Sequence, residues 1–285
     1  MTTLHLVLVC HTEMDFEGSW NLYERIQPKI DEMISRIADA TGKKPKMTYC
    51  VTGEFLGEPA RLDDAFRFIE EGHEIGIHSH LLGSHRAGHS GLGRYALRLD
   101  ENGLLNQDLI AGALRQIAMA LGLPAPASHV SGYYSFQETT IKVLEEAGFS
   151  VDCSLQCGRE HERFHATGDF ILCHTVRRKA PYPYRPATED PLADGQSSII
   201  ELPLCGSLGH GQAEGQLADI RARLAGDRDV DAFQYSWHHF EFADLGWTKG
   251  TFEDAERFLL GCGRNENVVF STASEAAAAL ERGGL

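Results

Sequence analysis

The sequence predicts one α/β domain spanning 1–285, a (β/α) barrel of distorted TIM-like type. Three observations predict it. Short apolar runs alternate with segments of helical period, roughly eight times along the chain. Titratable residues gather just after the strand-like runs, where a barrel carries its chemistry. And 285 residues with 42% hydrophobic composition can fill one large core.

The elements follow in order. Leu4–Cys10 is an apolar run of strand length. It is too short to span a membrane and no basic stretch precedes it, so it reads as a first strand and the protein as cytoplasmic. Trp20–Ala40 places apolar residues at 22, 26, 30, 33, 34 and 37, one helical face, with Gly42 positioned to end it. Met47–Val51 is a second strand, Arg61–Glu71 a helix and Glu74–His78 a third strand. A polar, glycine-rich loop runs from Leu81 to Gly103. Asn106 then caps a helix whose inner face is Leu109, Ile110, Ala113, Leu114, Ile117 and Leu121. A strand near Ala127–Ser131 leads to Ser135–Glu138, a capping-box pattern, and a helix ending at Gly148. Further strands are expected at Phe149–Cys153, Ser198–Leu204, Phe233–His238 and Val268–Ser271, the last followed by the Ala-rich helix Ser274–Arg282. Residues 154–197 lack this rhythm and hold three prolines within Pro181–Pro186, so they are expected as an excursion over the surface.

Bulk charge narrows the partners. With 41 acidic against 26 basic residues the net charge is −15, and no basic run exceeds Arg177–Lys179, which argues against nucleic acid. No membrane partner is expected either, and oligomeric state is left open. The seven cysteines are scattered and odd in number, as buried thiols in a reducing compartment would be. Cys153 and Cys157 are a weak metal or redox pair.

The chemistry collects at strand ends. After the first strand come His11, Glu13 and Asp15, and the third ends in His78-Ser79-His80. Asp152 and Cys153 end the fifth, and His238-His239 the seventh. Residues i and i+2 of an extended segment share a side, so His78 and His80 can share a target, as can His11, Glu13 and Asp15. Two imidazoles and a carboxylate with open positions suit a hydrolytic divalent metal. A strand-end histidine is equally a hydrogen-bonded polar cap. His73 lies at the strand start and reads as structural. His85/His89 and His161/His165 have helical ligand spacing but lie in irregular segments. Trp20, Tyr133, Tyr134, Trp237 and Phe240 either line the mouth or belong to the core.

Gly72-His-Glu-Ile-Gly-Ile-His78-Ser resembles the second motif of the polysaccharide deacetylase (NodB-homology, carbohydrate esterase family 4) group. Other stretches resemble its motifs in the same order: Val7–Asp15, Ser131–Ser135, Gly148–Ser154, Pro183–Pro186 with Ile200–Pro203, and His238–Phe242. The resemblance implies a deacetylase-type barrel and metal-assisted hydrolysis of an N-acetyl group on a saccharide or related small substrate. It implies a divalent metal, zinc foremost, on His78 with Glu13 or Asp15. It implies His238 as general acid oriented by Asp152; of the aromatics near the predicted mouth, Tyr133, Tyr134 and Trp237 are the expected substrate surface for a sugar ring. The sequence also departs from the family. Leu82 stands where the second metal histidine belongs, with His80 as the nearest replacement. His11 stands at the base aspartate, as base or third imidazole ligand, and Val130 at the arginine that pairs with that aspartate. These departures keep two alternatives open: a barrel that binds a carbohydrate or partner without catalysis, and a metal-free hydrolase of another non-peptide C–N bond.

Overall fold

The computed structural model describes residues 2–15, 18–79, 101–132, 139–157, 177–178, 181–190, 192–208, 213–243 and 251–285. Among the described residues, eleven strands form one sheet: β1 (Thr3–Thr12), β2 (Thr48–Val51), β3 (Glu74–Ser79), β4 (Ser128–Ser131), β5 (Val151–Asp152), β6 (Gln156–Cys157), β7 (Arg177–Arg178), β8 (Ile200–Glu201), β9 (Leu204–Ser207), β10 (Val230–His238) and β11 (Val268–Ser271). The helices are α1 (Asn21–Thr41), α2 (Gly53–Gly57), α3 (Pro59–Glu70), α4 (Glu101–Ala120), α5 (Thr140–Ala147), α6 (Ala213–Leu224), α7 (Phe252–Gly263) and α8 (Ala273–Arg282).

The strand order is β7-β6-β9-β10-β1-β2-β3-β4-β5-β8, with β11 also on β1, and the named strands pair in parallel. One short segment links the β5 side of that order to the β10 side, with β6 and β7 lying beyond β9. Ile200–Glu201 pairs with β5, and Leu204–Ser207, just past Pro203, pairs with β10. The α/β barrel is therefore closed by a strand that the sequence reads as continuous and that breaks at Leu202–Pro203, since proline cannot donate to a ladder.

Alternation along the strands divides the apolar residues into two cores. Leu4, Leu6, Leu8, Tyr49, Ile77, Phe233, Tyr235 and Trp237 pack under the helices. Val7, Val9, Cys50, Val130, Val151, Cys153 and Ile200 fill the barrel with Ala273, Ala276 and Leu280 of α8. α1 buries Ile26, Ile30, Met33, Ile34 and Ile37, and ends at Gly42, whose φ of 70° needs no Cβ-bearing residue.

Several elements differ from expectation. α4 is already helical at Glu101, ahead of Asn106. Its inward residues are Ala111, Leu114 and Ala118, while Leu109, Ile117 and Leu121 are exposed. Small residues let the helix approach the sheet, so the face follows Ala111 and Ala118 rather than the bulkiest side chains. α2, α6 and α7 were not expected. The 154–197 excursion contributes β6 and β7 to the sheet, and Tyr184, bridged to Glu201, is 2% exposed. Its sequence gives no periodicity because these strands are two residues long. The Ser135–Glu138 capping box lies outside the described residues; Thr139 precedes the first residue of α5.

At the N-terminal end of the barrel, His73 is buried and its Nδ1 accepts the Met47 N–H at 3.0 Å. Burial, then the nearby Lys44 charge, push its pKa down to about 4. The unfolded chain thus binds a proton more readily, so the contribution of His73 is full above pH 6.5 and is lost as pH falls toward about 4. His73→Asn keeps an acceptor without titrating. Urea unfolding at pH 7.5 and 4.5 is expected to show wild type losing about 2–3 kcal/mol more than this variant over that interval. Equal losses would remove His73 from the acid sensitivity.

Candidate active site

The site lies at the C-terminal ends of β1, β3 and β10. Pairing across the sheet aligns His238, His11, Cys50 and Gly76 in one layer, with His78 two residues further along β3. His11 and His238 therefore enter the mouth side by side, with ring centroids 4.3 Å apart. The His11 ring also meets the His78 ring edge-on at 4.8 Å. Glu13 comes in from the end of β1 and stands between the other two histidines. Its Oε2 is 3.8 Å from His78 Nε2 and its Oε1 is 3.6 Å from His238 Nε2.

Gly76 makes room for this layer. A Cβ there would come 2.4 Å from Ser128 Oγ and 2.9 Å from Cys50 Sγ, inside the barrel. Gly76→Ala is expected to cost about 1–3 kcal/mol of stability, read in thermal or urea unfolding. An unchanged midpoint would mean that the layer has slack.

The His78 ring is oriented from the backbone. Its Nδ1 lies 3.0 Å from the Val130 carbonyl, which only accepts, so Nδ1 carries the hydrogen and Nε2 presents its lone pair toward Glu13. That is the tautomer a metal-binding imidazole needs. Two ligands of a tetrahedral ion with bonds of about 2.0–2.1 Å stand roughly 3.3 Å apart. The His78–Glu13 separation of 3.8 Å is close to that spacing. Imidazole nitrogen beside carboxylate oxygen is a donor set for zinc or a similar divalent ion. Among the described residues no group of three His, Cys, Asp or Glu is spaced to hold an ion. A third donor would have to come by adjustment of His11 or from His80, which lies outside the described residues.

His238 is 18% exposed in its side chain. Burial works against its charge, but the carboxylate of Glu241, followed by that of Glu13, outweighs burial and holds its pKa above the ordinary histidine value. Glu241 sits in the 3-10 turn His239–Phe242, where its Oε2 accepts the His238 N–H at 2.8 Å and lies 3.6 Å from Nδ1. Sequence reasoning assigned Glu241 no role; its i+3 spacing from His238 was the available signal. His239 turns the other way. Its Nε2 donates to Gln27 Oε1 at 2.8 Å, and burial, then the neighbouring His238 charge, push its pKa down to about 3. The adjacent histidines thus have opposite characters, one favoured charged and one kept neutral.

Other predicted site residues lie elsewhere. Asp15 turns to its own loop: Oδ1 accepts the Ser19 N–H at 2.9 Å and Oδ2 the Ser19 hydroxyl at 2.6 Å. Glu13, not Asp15, is the carboxylate beside the histidines. Asp152 lies on the opposite face of the sheet, since Val151 and Cys153 point into the barrel. It accepts from His129 and Ser154, each at 2.7 Å, while His238 is paired with Glu13 and Glu241. The role of orienting His238 therefore passes from Asp152 to Glu241. Trp237 is 0% exposed and packs edge-on against Phe242 and Tyr235, so it belongs to the helix-covered core. Strand alternation dictates this, because its neighbour His238 faces the mouth. Phe240, stacked on His238 at 4.5 Å, is the aromatic beside the site. Tyr133, Tyr134, His85, His89, His161 and His165 lie outside the described residues, as does His80. Among the described residues, Cys10, Cys50, Cys153, Cys205 and Cys262 form no disulfide, and burial holds the Cys153 thiol well above its usual pKa.

No family model and no curated protein matches the sequence. Solved structures do match. A candidate polysaccharide deacetylase from Pseudomonas aeruginosa PAO1 superposes with a TM-score of 0.59 at 14% identity, covering 99% of this chain and 92% of that one. The chain has the fold of a polysaccharide deacetylase barrel. A candidate glycoside hydrolase/deacetylase from Parabacteroides distasonis gives a TM-score of 0.66 at 11% identity, over 98% of this chain and 71% of its own. The 4-alpha-glucanotransferase from Thermococcus litoralis gives 0.58 at 15% identity; this chain matches over 98% of its length but spans only 40% of that enzyme. At these identities the shared property is the deacetylase-type barrel. Among the described residues, no helix is long and apolar enough to cross a membrane.

Proposed function

We propose that the protein is a divergent member of the polysaccharide deacetylase group, a metal-dependent hydrolase of an N-acetyl group on a carbohydrate or related small molecule in the cytoplasm. One observation carries this reading: the Glu13 carboxylate stands between His78 and His238, at 3.8 and 3.6 Å, with the His11 ring against both histidines. A divalent ion held by His78 and Glu13, zinc foremost, would polarise the amide carbonyl and make water a better nucleophile.

The remaining roles fall to the chain itself. Val130 O keeps the His78 hydrogen on Nδ1, leaving Nε2 as the ligand. His238, whose pKa the Glu241 and Glu13 carboxylates hold above the ordinary histidine value, delivers a proton from Nε2 to the departing amine. Glu241 keeps the His238 backbone and ring in place from the far side. His11 occupies the layer beside both histidines, where it takes a proton from water or completes the ligand set. Phe240 offers an apolar wall on the outer side of His238.

The test is zinc content and acetate release from N-acetylated sugars, measured on wild type and His78→Ala. Stoichiometric zinc and acetate release, both lost in the variant, support the reading. Zinc-independent acetate release would replace it with a metal-free hydrolase. Saccharide binding without turnover would replace it with a binding barrel.

A further inference from the structure

Behind the site, on the helix-covered face of the sheet, runs a buried chain of hydrogen bonds that the proposed reaction does not use. His129 Nδ1 lies 2.7 Å from Asp152 Oδ1, and His129 Nε2 lies 2.6 Å from Ser79 Oγ. The Ser154 hydroxyl donates to the same Asp152 oxygen at 2.7 Å and accepts the Ser131 N–H at 2.9 Å. Ser79, His129, Ser131, Asp152 and Ser154 are all 0% exposed. A carboxylate only accepts, so His129 donates from Nδ1 to Asp152, and its Nε2 shares a hydrogen bond with the Ser79 hydroxyl.

The order Ser–His–Asp is that of a nucleophilic triad. Ser79, however, has no exposed surface through which a substrate carbonyl could approach, and it faces the helices rather than the mouth. Its value lies in its neighbours. Ser79 follows His78 directly. His129 and Ser131 flank Val130, whose carbonyl fixes the His78 ring. His78 and Val130 are opposite one another across β3 and β4, and His129 pairs with Asp152 across β4 and β5. The chain therefore holds a residue beside each partner of the His78–Val130 contact, from the face that substrate never reaches.

We infer that Ser79, His129, Asp152 and Ser154 are positioning residues that set the tautomer and angle of His78 through the Val130 carbonyl. The inference rests on His78 being the ligand of the proposed site. Its physical basis is that these hydrogen bonds, shared among fully buried side chains, hold one geometry, whereas breaking one leaves buried donors to find new partners. Supporting contacts of this kind are worth about 10–100-fold in metal affinity.

The experiment uses the full chain and three variants: His129→Gln, Ser79→Ala as the milder change, and Phe270→Leu as a core change at the opposite end of the barrel. Imidazole 15N NMR of the metal-free protein reads the His78 tautomer, with the signal assigned by its absence in His78→Gln. Competition with a chelator reads zinc affinity. Wild type is expected to hold His78 with hydrogen on Nδ1. The two network variants should give a tautomer mixture and a zinc affinity lower by about 10–100-fold, while Phe270→Leu changes neither. If His129→Gln does not fold, Ser79→Ala carries the test. An unchanged His78 tautomer and zinc affinity in a folded network variant overturn the inference. If wild type binds no zinc, the proposed function falls, while the tautomer measurement on the metal-free protein still decides the relay.

Discussion

Replacing His238 with alanine lowers the rate of acetate release from an N-acetylated sugar by about 10²–10⁴-fold, the range that a positioned proton donor supplies. An amine leaves poorly as its anion, so an amide needs the proton that His238 holds at Nε2. The environment is arranged for holding it: Glu241 on one side and Glu13 on the other overcome the burial that would otherwise discharge the ring. The same reasoning predicts a dependence on leaving group. An activated ester such as p-nitrophenyl acetate departs without protonation, so His238→Ala should lose far less activity there than on the amide. The two substrates, assayed on one folded preparation, separate proton donation from general damage to the mouth. Equal losses on both would mean that His238 supports the site without donating a proton. His239→Gln serves as a contrast, because that neighbour faces Gln27 in the helix layer and stays neutral.

Strand alternation explains most of what was legible in the sequence and most of what was misplaced. His11 and Glu13, two apart at the end of β1, do converge with His78, as a period of two requires. The same period excludes Trp237, next to His238, and Asp152, between two barrel-facing residues, yet both entered the predicted site because they lie near strand ends. Motif order carries which residue types stand near a strand end, and alternation decides which face they take. The choice between Glu13 and Asp15 could not be read, because it depends on Ser19 closing a loop around one carboxylate. α4 was misread for a different reason. Its bulkiest apolar residues suggested the buried face, but the sheet accepts Ala111 and Ala118 and leaves Ile117 outside. His129 attracted no attention because a lone histidine in an apolar strand gives no pattern. Only its two partners, 23 and 50 residues away in sequence, give it a role.

Replacing His78 with alanine should weaken zinc binding by more than the 10–100-fold that loss of a supporting contact costs. His78 is 1% exposed, its Nδ1 meets a carbonyl acceptor, and its Nε2 faces Glu13, which also faces His238. Glu13→Gln should weaken binding too, and it also removes a negative charge from His238. Zinc affinity and amide turnover need not fall by the same factor in that variant. His11→Ala and His80→Ala then assign the third donor: whichever histidine supplies it loses affinity on the scale of His78→Ala, while the other falls by less. A His11 ligand would mean that the imidazole at the family's aspartate position has joined the metal. A His80 ligand would mean that His80 replaces the ligand missing at Leu82, and the role of base would then fall to His11. If His78→Ala leaves zinc affinity unchanged, the histidines and Glu13 form a polar mouth without a metal, and the hydrolytic reading must rest on His11 and His238 alone.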